Sequence, residues 1–423
     1  MKIEKLSGPE FDKTSPWDVL SRLQAADPIL FLGGDKSDHS LLALSFDEED
    51  RDEFMFDDVA PPLPPSTLPS LPMTLGQVAL LTYDAYNPWC GQASAPSRFF
   101  RIKKALVWNK EGNEYFLCTD DDAVHAKYQV KWPLSSAGET PPLAPLSIDW
   151  KSTWTDSQYL EAVRQSLEDI RDGRFYQINL LRFWQHQGEI PRPYFLRRLR
   201  KFAGPFAAYF DLPDLGLVSW SPERFVKVRQ ESGRAIIEAE PIKGTRPVAG
   251  EHAQDAALAI ELQNSAKDNA ELHMIVDLMR SDLQKLCVPG GVKVLDRGTV
   301  KSFPSVHHLI ARIEGQLKSG RKLEEICRAL CPGGSITGAP KREVMQVIHE
   351  REERERGYFM GNVWYKDACS GRIDSSILIR TAVRQSGLSW EYAAGSGITV
   401  KSHAYEELQE VLTKARIILE NPW

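Results

Sequence analysis

Several absences bound what this 423-residue chain can be. No uninterrupted apolar run reaches membrane-spanning length, and the N-terminus holds no stretch of signal-peptide shape. Both point to a soluble, cytoplasmic protein with no membrane role. Basic residues are not in excess. The 52 Lys and Arg stand against 58 Asp and Glu, a formal charge of −6, so the composition gives no support for nucleic-acid binding. Cysteine is sparse and scattered over Cys90, Cys118, Cys287, Cys327, Cys331 and Cys369. The one close pair, Cys327 and Cys331, misses the two-residue spacing of zinc and redox motifs, and no cysteine lies in a glutaminase motif. What remains is an ordinary globular balance, 42% hydrophobic and 26% charged. The length exceeds one usual core, so a large composite fold or two domains is expected.

The N-terminal part reads as short strands. Ile29–Leu32 and Leu41–Leu44 are apolar runs bracketing the turn Gly33-Gly34-Asp35. Ala105–Trp108 and Tyr115–Cys118 form a second such pair, joined through Glu111-Gly112-Asn113. Pro61 to Pro72 holds six prolines and is an extended loop. A second proline cluster, Pro141, Pro142 and Pro145, marks a boundary between region 1–147 and region 148–423. Thr155-Asp156-Ser157-Gln158 is a capping box, and Tyr159, Val163, Leu167 and Ile170 follow at helical spacing, so a helix is expected to about Asp172. Gly173 ends it, and a strand begins over Phe175–Leu180.

The stretch Ser221 to Pro247 organises the rest. Ala235–Ala239 reads as a strand that Pro241 ends, which puts Lys243 just past a strand end and before a glycine. A lysine there serves as a nucleophile if its amine is partly desolvated, and Glu223 can act as its acid partner. By residue type alone, a solvated turn lysine and a surface carboxylate are the ordinary reading. Asp268, Glu271, Ile275 and Leu278 share one face of a helix, so Glu271 projects from a partly apolar surface, where a carboxylate needs a cation or a metal. Pro332–Lys341 is glycine-rich but lacks the Gly-Lys-Ser/Thr ending of a phosphate loop. It opens a helix over Lys341–Arg356, whose charged end Arg351–Arg356 reads as solvated. Ser375–Thr381 reads as a strand ending in Arg380-Thr381. The last helix runs from about Ala404 to Leu419, with Glu407 and Glu410 one turn apart and Lys414 four beyond Glu410.

Ser221-Pro222-Glu223-Arg224-Phe225 followed by Pro241-Ile242-Lys243-Gly244-Thr245 resembles the signature of the chorismate-utilising enzymes. Within that family it is similar to the aminodeoxychorismate synthase branch. The relatives of the anthranilate synthase branch usually carry alanine in place of Lys243. The resemblance is specific over about 157–423. It implies an α/β (α+β) fold of the large chorismate-enzyme type, a two-sheet β-sandwich core flanked by helices. Region 1–147 then resembles the anthranilate synthase N-terminal region, and 148–423 is the chorismate-binding catalytic domain.

The resemblance also implies roles. Lys243, Glu223 and His308 are catalytic. Gly244, Thr245, Tyr365, Arg380, Gly395, Gly397 and Lys414 contact the substrate, with arginine suited to bidentate carboxylate binding. Glu271 and Glu410 hold magnesium, with Asp268 and Glu407 as outer support. Chorismate and ammonia are the substrates, and a separate glutaminase (amidotransferase) subunit supplies the ammonia. Homologues often hold tryptophan in an N-terminal pocket, for which Ser15-Pro16-Trp17-Asp18 is the place to look. Four departures stand out: Leu272-His273 for the usual Asn-Leu, Ser281 for asparagine, Trp364 for a glycine before Tyr365, and His403-Ala404 for Asp-Pro. Relatives that add water to chorismate use a lysine base where this chain has Gln177, and an amide cannot take that part. The alternatives are an anthranilate synthase component, a non-catalytic tryptophan- or chorismate-binding regulator, and a pyridoxal-phosphate lysine enzyme, for which the lysine alone speaks.

Overall fold

Strands that bury both faces dominate this chain, and their two sets of side chains define two cores. The computed structural model describes residues 2–6, 15–21, 23, 28–33, 39–49, 73, 75–86, 96–110, 114–120, 128–129, 148–249, 251–302, 306–385, 387 and 389–420. The proline stretches expected at Pro61–Pro72 and Pro141–Pro145, and the turn residues Gly34, Asp35 and Glu111–Asn113, lie outside them.

The N-terminal part supplies β1 (Lys2–Leu6), helix α1 (Pro16–Ser21), β2 (Ile29–Leu32), β3 (His39–Glu49), β4 (Gly76–Leu81), β5 (Arg98–Asn109) and β6 (Glu114–Thr119). Both expected strand pairs form, β2 against β3 and β5 against β6. Then come α2 (Asp156–Arg171), β7 (Gln177–His186), α3 (Arg192–Phe202), β8 (Ala208–Leu212), β9 (Leu215–Ser219), β10 (Arg224–Glu231), β11 (Arg234–Ala239) and β12 (Ile242–Pro247). Helices α4 (His252–Asn264) and α5 (Ala266–Leu286) precede the long hairpin β13 (Cys287–Ser302) and β14 (Val306–Leu317). The chain closes with α6 (Leu323–Leu330), α7 (Lys341–Glu352), β15 (Asn362–Asp367), β16 (Ile373–Ile377), β17 (Thr381–Gln385), β18 (Trp390–Thr399) and α8 (Ala404–Leu419).

Antiparallel pairing links β7, β18, β17, β9, β8, β2, β3 and β5 in one run, and β4, β15, β16, β10, β11, β14 and β13 in another. They join where β4 pairs with β5. Strands before residue 148 therefore bond to strands after it, β2 to β8 and β4 to β15. Alternation divides the side chains. Leu30, Leu32, Leu181, Leu215 and Leu217 enter the core between the runs, while Ile29, Phe31, Leu180, Trp184 and Val218 enter a second core under α2, α3, α7 and α8.

Four sequence expectations change. The strand before Pro241 ends at Ala239 as expected, but Lys243 is not left past the strand end, because the chain re-enters the sheet at Ile242. β11 and β12 both pair with β14, and the Pro241 carbonyl accepts a hydrogen bond from Ala311 N at 3.2 Å, so Lys243 sits on a strand. Arg380 does not end a strand. It takes φ +50 between β16 and β17. The strand foreseen from Phe175 begins at Gln177 and runs on to His186. Lastly, α7 stops at Glu352 with Glu353 as a left-handed cap, and two of the charged residues at its end are buried. The Glu352 and Arg356 side chains are 0% and 1% exposed and paired at 2.7 Å. Arg356 also donates to the Ile336 and Asn179 carbonyls, and Glu352 accepts from Leu181 N, so the pair clamps α7 to β7.

Candidate active site

Lys243 is aimed by an irregularity in β12. The register with β14 shifts between Lys243 and Thr245, and Gly244 between them has φ +71. A Cβ there would stand 2.7 Å from Leu262 and 2.8 Å from Asp268, so only glycine fits. Opposite lies β18. A Cβ on Gly397 would come within 3.4 Å of Lys243 Nζ and 3.2 Å of Gln177 Nε2. The bare backbone thus leaves room beside the amine. Gln177 is buried and its Nε2 has no protein partner.

Glu223 lies just before β10 and is 8% exposed. Its N–H donates to Ser221 Oγ, and Ser335 Oγ donates to its Oε1 at 3.3 Å. Burial pushes its carboxyl up to about 7, against the opposing charge of Lys243 and the Ser335 bond. At neutral pH it can therefore carry a proton beside the amine.

Helices α5 and α8 bring a carboxylate cluster to the same place. Burial raises Glu271; Lys243 and Lys267 oppose this, and the charges of Glu407 and Glu410 add to it. Glu410 is half exposed, and Lys414, 2.7 Å away, holds its carboxyl below the usual range. Glu407 is 1% exposed, its two oxygens accept no hydrogen bond, and Lys267 stands 3.7 Å off. Among the described residues no three His, Cys, Asp or Glu side chains are already gathered at metal-ligand spacing. The donor set still suits a hard divalent cation. Three carboxylates repel one another here, two of their oxygens lack donors, and such an ion is held by few protein ligands plus water and substrate. Asp268, one turn from Glu271, receives Arg246 at 3.3 Å.

A third group surrounds the open edge of β18. That strand pairs with β17 only through Ala393, and the partner begins at Thr381, right after the left-handed Arg380. Beyond Ala393 one edge of Gly395–Gly397 has no strand beside it in the described pairings, and Arg380 sits at its start. Arg380 is lowered by burial and raised by Tyr392 and Glu223. Lys414 Nζ donates to the Gly395 carbonyl at 2.7 Å. His308 on β14 lies 3.0 Å from Thr245 Oγ1, and burial with nearby Arg380 pushes it down to about 4, so it is neutral at pH 7.

Lys243, Glu223, Glu271, Glu407, Glu410, Lys414, Arg380, His308, Thr245 and Gly397 thus converge. Tyr365 is placed elsewhere. Its hydroxyl donates to Asp367, and its ring lines a cavity of about 570 Å³ with Gly33, His39, Phe206 and Arg224. Trp364 is fully buried edge-on to Phe225, so it fills the core rather than the substrate space. Ser335 and Lys267 are site residues that the sequence did not single out. Lys267 adjoins Asp268 and Ser335 lies within the glycine-rich Pro332–Lys341 segment, and only tertiary contact shows the part each plays.

A family model described as chorismate binding enzyme matches residues 50–420. The chain is 35% identical to aminodeoxychorismate synthase component 1 of Salmonella typhimurium over 85% of its own length and 79% of that protein. It is 32% identical to anthranilate synthase component 1 of Saccharolobus solfataricus over 81% of its length and 79% of that protein. Among solved structures it resembles anthranilate synthase component I from Streptococcus pneumoniae, with a TM-score of 0.73, 22% identity and 99% of each chain covered. The two-run sheet with its flanking helices is therefore the fold of these enzymes, and the chain belongs to the chorismate-binding enzyme family.

Proposed function

We propose that this chain aminates chorismate at ring carbon C4 to give 4-amino-4-deoxychorismate, the precursor of p-aminobenzoate in folate biosynthesis. The observation that carries this is a lysine amine against a glycine strand, with a carboxyl nearby that titrates near neutrality. Lys243 attacks C2 while Glu223 protonates the departing 4-hydroxyl, which leaves as water. Ammonia then bonds to C4 and the C2–Nζ bond breaks, which restores the lysine. Glu223, now ionised, takes up the excess proton. The 4-amination reading is favoured over 2-amination by the presence of Lys243 where the 2-aminating relatives usually have alanine. Gln177 rather than lysine speaks against hydration.

Arg380, Gly395 and Gly397 bind a substrate carboxylate, and Gly244, Thr245 and His308 line the ring. Tyr365 belongs to this proposal on resemblance alone. Glu271 and Glu410 hold magnesium, with Glu407 and Asp268 behind them. The ion, when bound, supplies positive charge for the second carboxylate. Ammonia comes from a separate glutaminase subunit. A tryptophan effector is also part of the reading, though Ser15–Asp18 is closed by its own hydrogen bonds and Trp17 is buried against Phe31. The 570 Å³ cavity beside β2 and β3 offers the better space. A cytoplasmic setting is supported by the free cysteines among the described residues, where also no helix is long and apolar enough to cross a membrane.

Product identification tests this. Chorismate, magnesium and ammonium give 4-amino-4-deoxychorismate, and glutamine does not replace ammonium for the isolated chain. Anthranilate or isochorismate as the main product overturns the reading.

A further inference from the structure

Ser396 sits between the two glycines of β18 and is 0% exposed. Successive strand residues face opposite ways, so Ser396 turns its side chain away from the amine that Gly397 borders. Its Oγ lies 3.0 Å from the hydroxyl of Tyr159, also 0% exposed, on α2. Burial raises that phenol, and the charges of Glu407, Glu410 and Glu352 raise it further. The hydroxyl therefore lies between the glycine strand and the helix that carries two of the glutamates. A second tie acts on the same strand: Lys414 Nζ holds the Gly395 carbonyl, and the Lys414 carbonyl accepts from Tyr392 at 2.8 Å. The Gly395–Gly397 strand is thus held at two points, behind it at the Ser396 side chain and at its open edge at the Gly395 carbonyl. Glycines give a strand no side-chain packing of their own, so its direction depends on such ties.

We infer that Tyr159 is a positioning residue for the carboxylate end of the substrate site, acting through Ser396 on the Gly395–Gly397 backbone. The inference rests on the chorismate reading above. Tyr159→Phe keeps the ring in its core and removes only the hydroxyl. A carboxylate contact is made alike in the ground and transition states, so its loss raises KM and spares kcat. With ammonium and magnesium, Tyr159→Phe raises the KM for chorismate about fivefold, the worth of one hydrogen bond. Ser396→Ala has the same effect, and the double variant adds nothing, because either change deletes one shared bond. Thermal midpoints of all three are read alongside. A parent-like KM in Tyr159→Phe overturns the inference even if the midpoint falls, as does a fall in kcat at unchanged KM. An active parent with that outcome overturns the inference alone. A parent that does not turn over chorismate overturns the chorismate reading and the inference with it.

Discussion

Ser335 Oγ donates to Glu223 Oε1 at 3.3 Å, and this bond favours the ionised carboxylate that burial disfavours. In the proposed chemistry Glu223 must be protonated to release the 4-hydroxyl. Its carboxyl lies at about 7, so turnover falls as pH rises through that value. Ser335→Ala removes a group that stabilises the charged form, and the alkaline limb then moves to higher pH. A pH profile of kcat/KM for both proteins checks this, and coincident limbs mean the contact does not tune the acid.

His308 gives a pH effect of opposite sense on stability. Its folded pKa is pushed from 6.5 down to about 4, so it folds as the neutral ring. The stability this contributes is complete above 6.5 and is lost as pH falls toward 4. His308→Gln has no such titration. Its melting temperature should fall less than the parent's between pH 7 and pH 4. Equal falls in both proteins assign the acid loss to other groups.

For the proposed magnesium, Glu410 is the most informative position, because it is half exposed and already beside a cation. Glu410→Gln keeps the size and removes the charge. The magnesium concentration for half-maximal activity should rise about tenfold or more. Full activity with an unchanged magnesium requirement means that Glu410 is not a ligand.

The Glu352–Arg356 pair predicts a large stability effect from two buried charges. Arg356→Met strands Glu352 and two carbonyls in the core, which costs about 3–5 kcal/mol. Glu352→Leu combined with Arg356→Met removes both charges and should recover a good part of that loss. Urea midpoints compare the two, and a single variant as stable as the parent denies the clamp.

That pair also marks where reading the sequence stops. Six charged residues in a row, Arg351 to Arg356, carry the local signal of a solvated helix end, and nothing nearby says that β7 lies across two of them. Other local signals held. The Thr155 capping box opens α2, and α8 spans Ala404–Leu419 as expected. The identities of Lys243, Glu223, Glu271 and Glu410 were legible through their motifs. Their setting was not. Pro241 hides that the chain re-enters the sheet, and the turn that places Arg380 beside β18 is a backbone conformation that an arginine does not announce.

Lys243 supplies the decisive test of the proposed chemistry. Its amine is tethered beside the glycine strand, so its effective concentration at C2 exceeds that of free ammonia, which is left to enter at C4. Without ammonia the reaction should stop at the adduct. Protein incubated with chorismate and magnesium alone should gain the mass of chorismate less one water, on the peptide that contains Lys243. Lys243→Ala should lose that adduct and most of the 4-amination, and gain some 2-amino product. A variant that forms 4-amino-4-deoxychorismate at the parent rate, together with no adduct in the parent, would show that Lys243 is not the nucleophile. Glu223 would then have to act on a direct attack by ammonia.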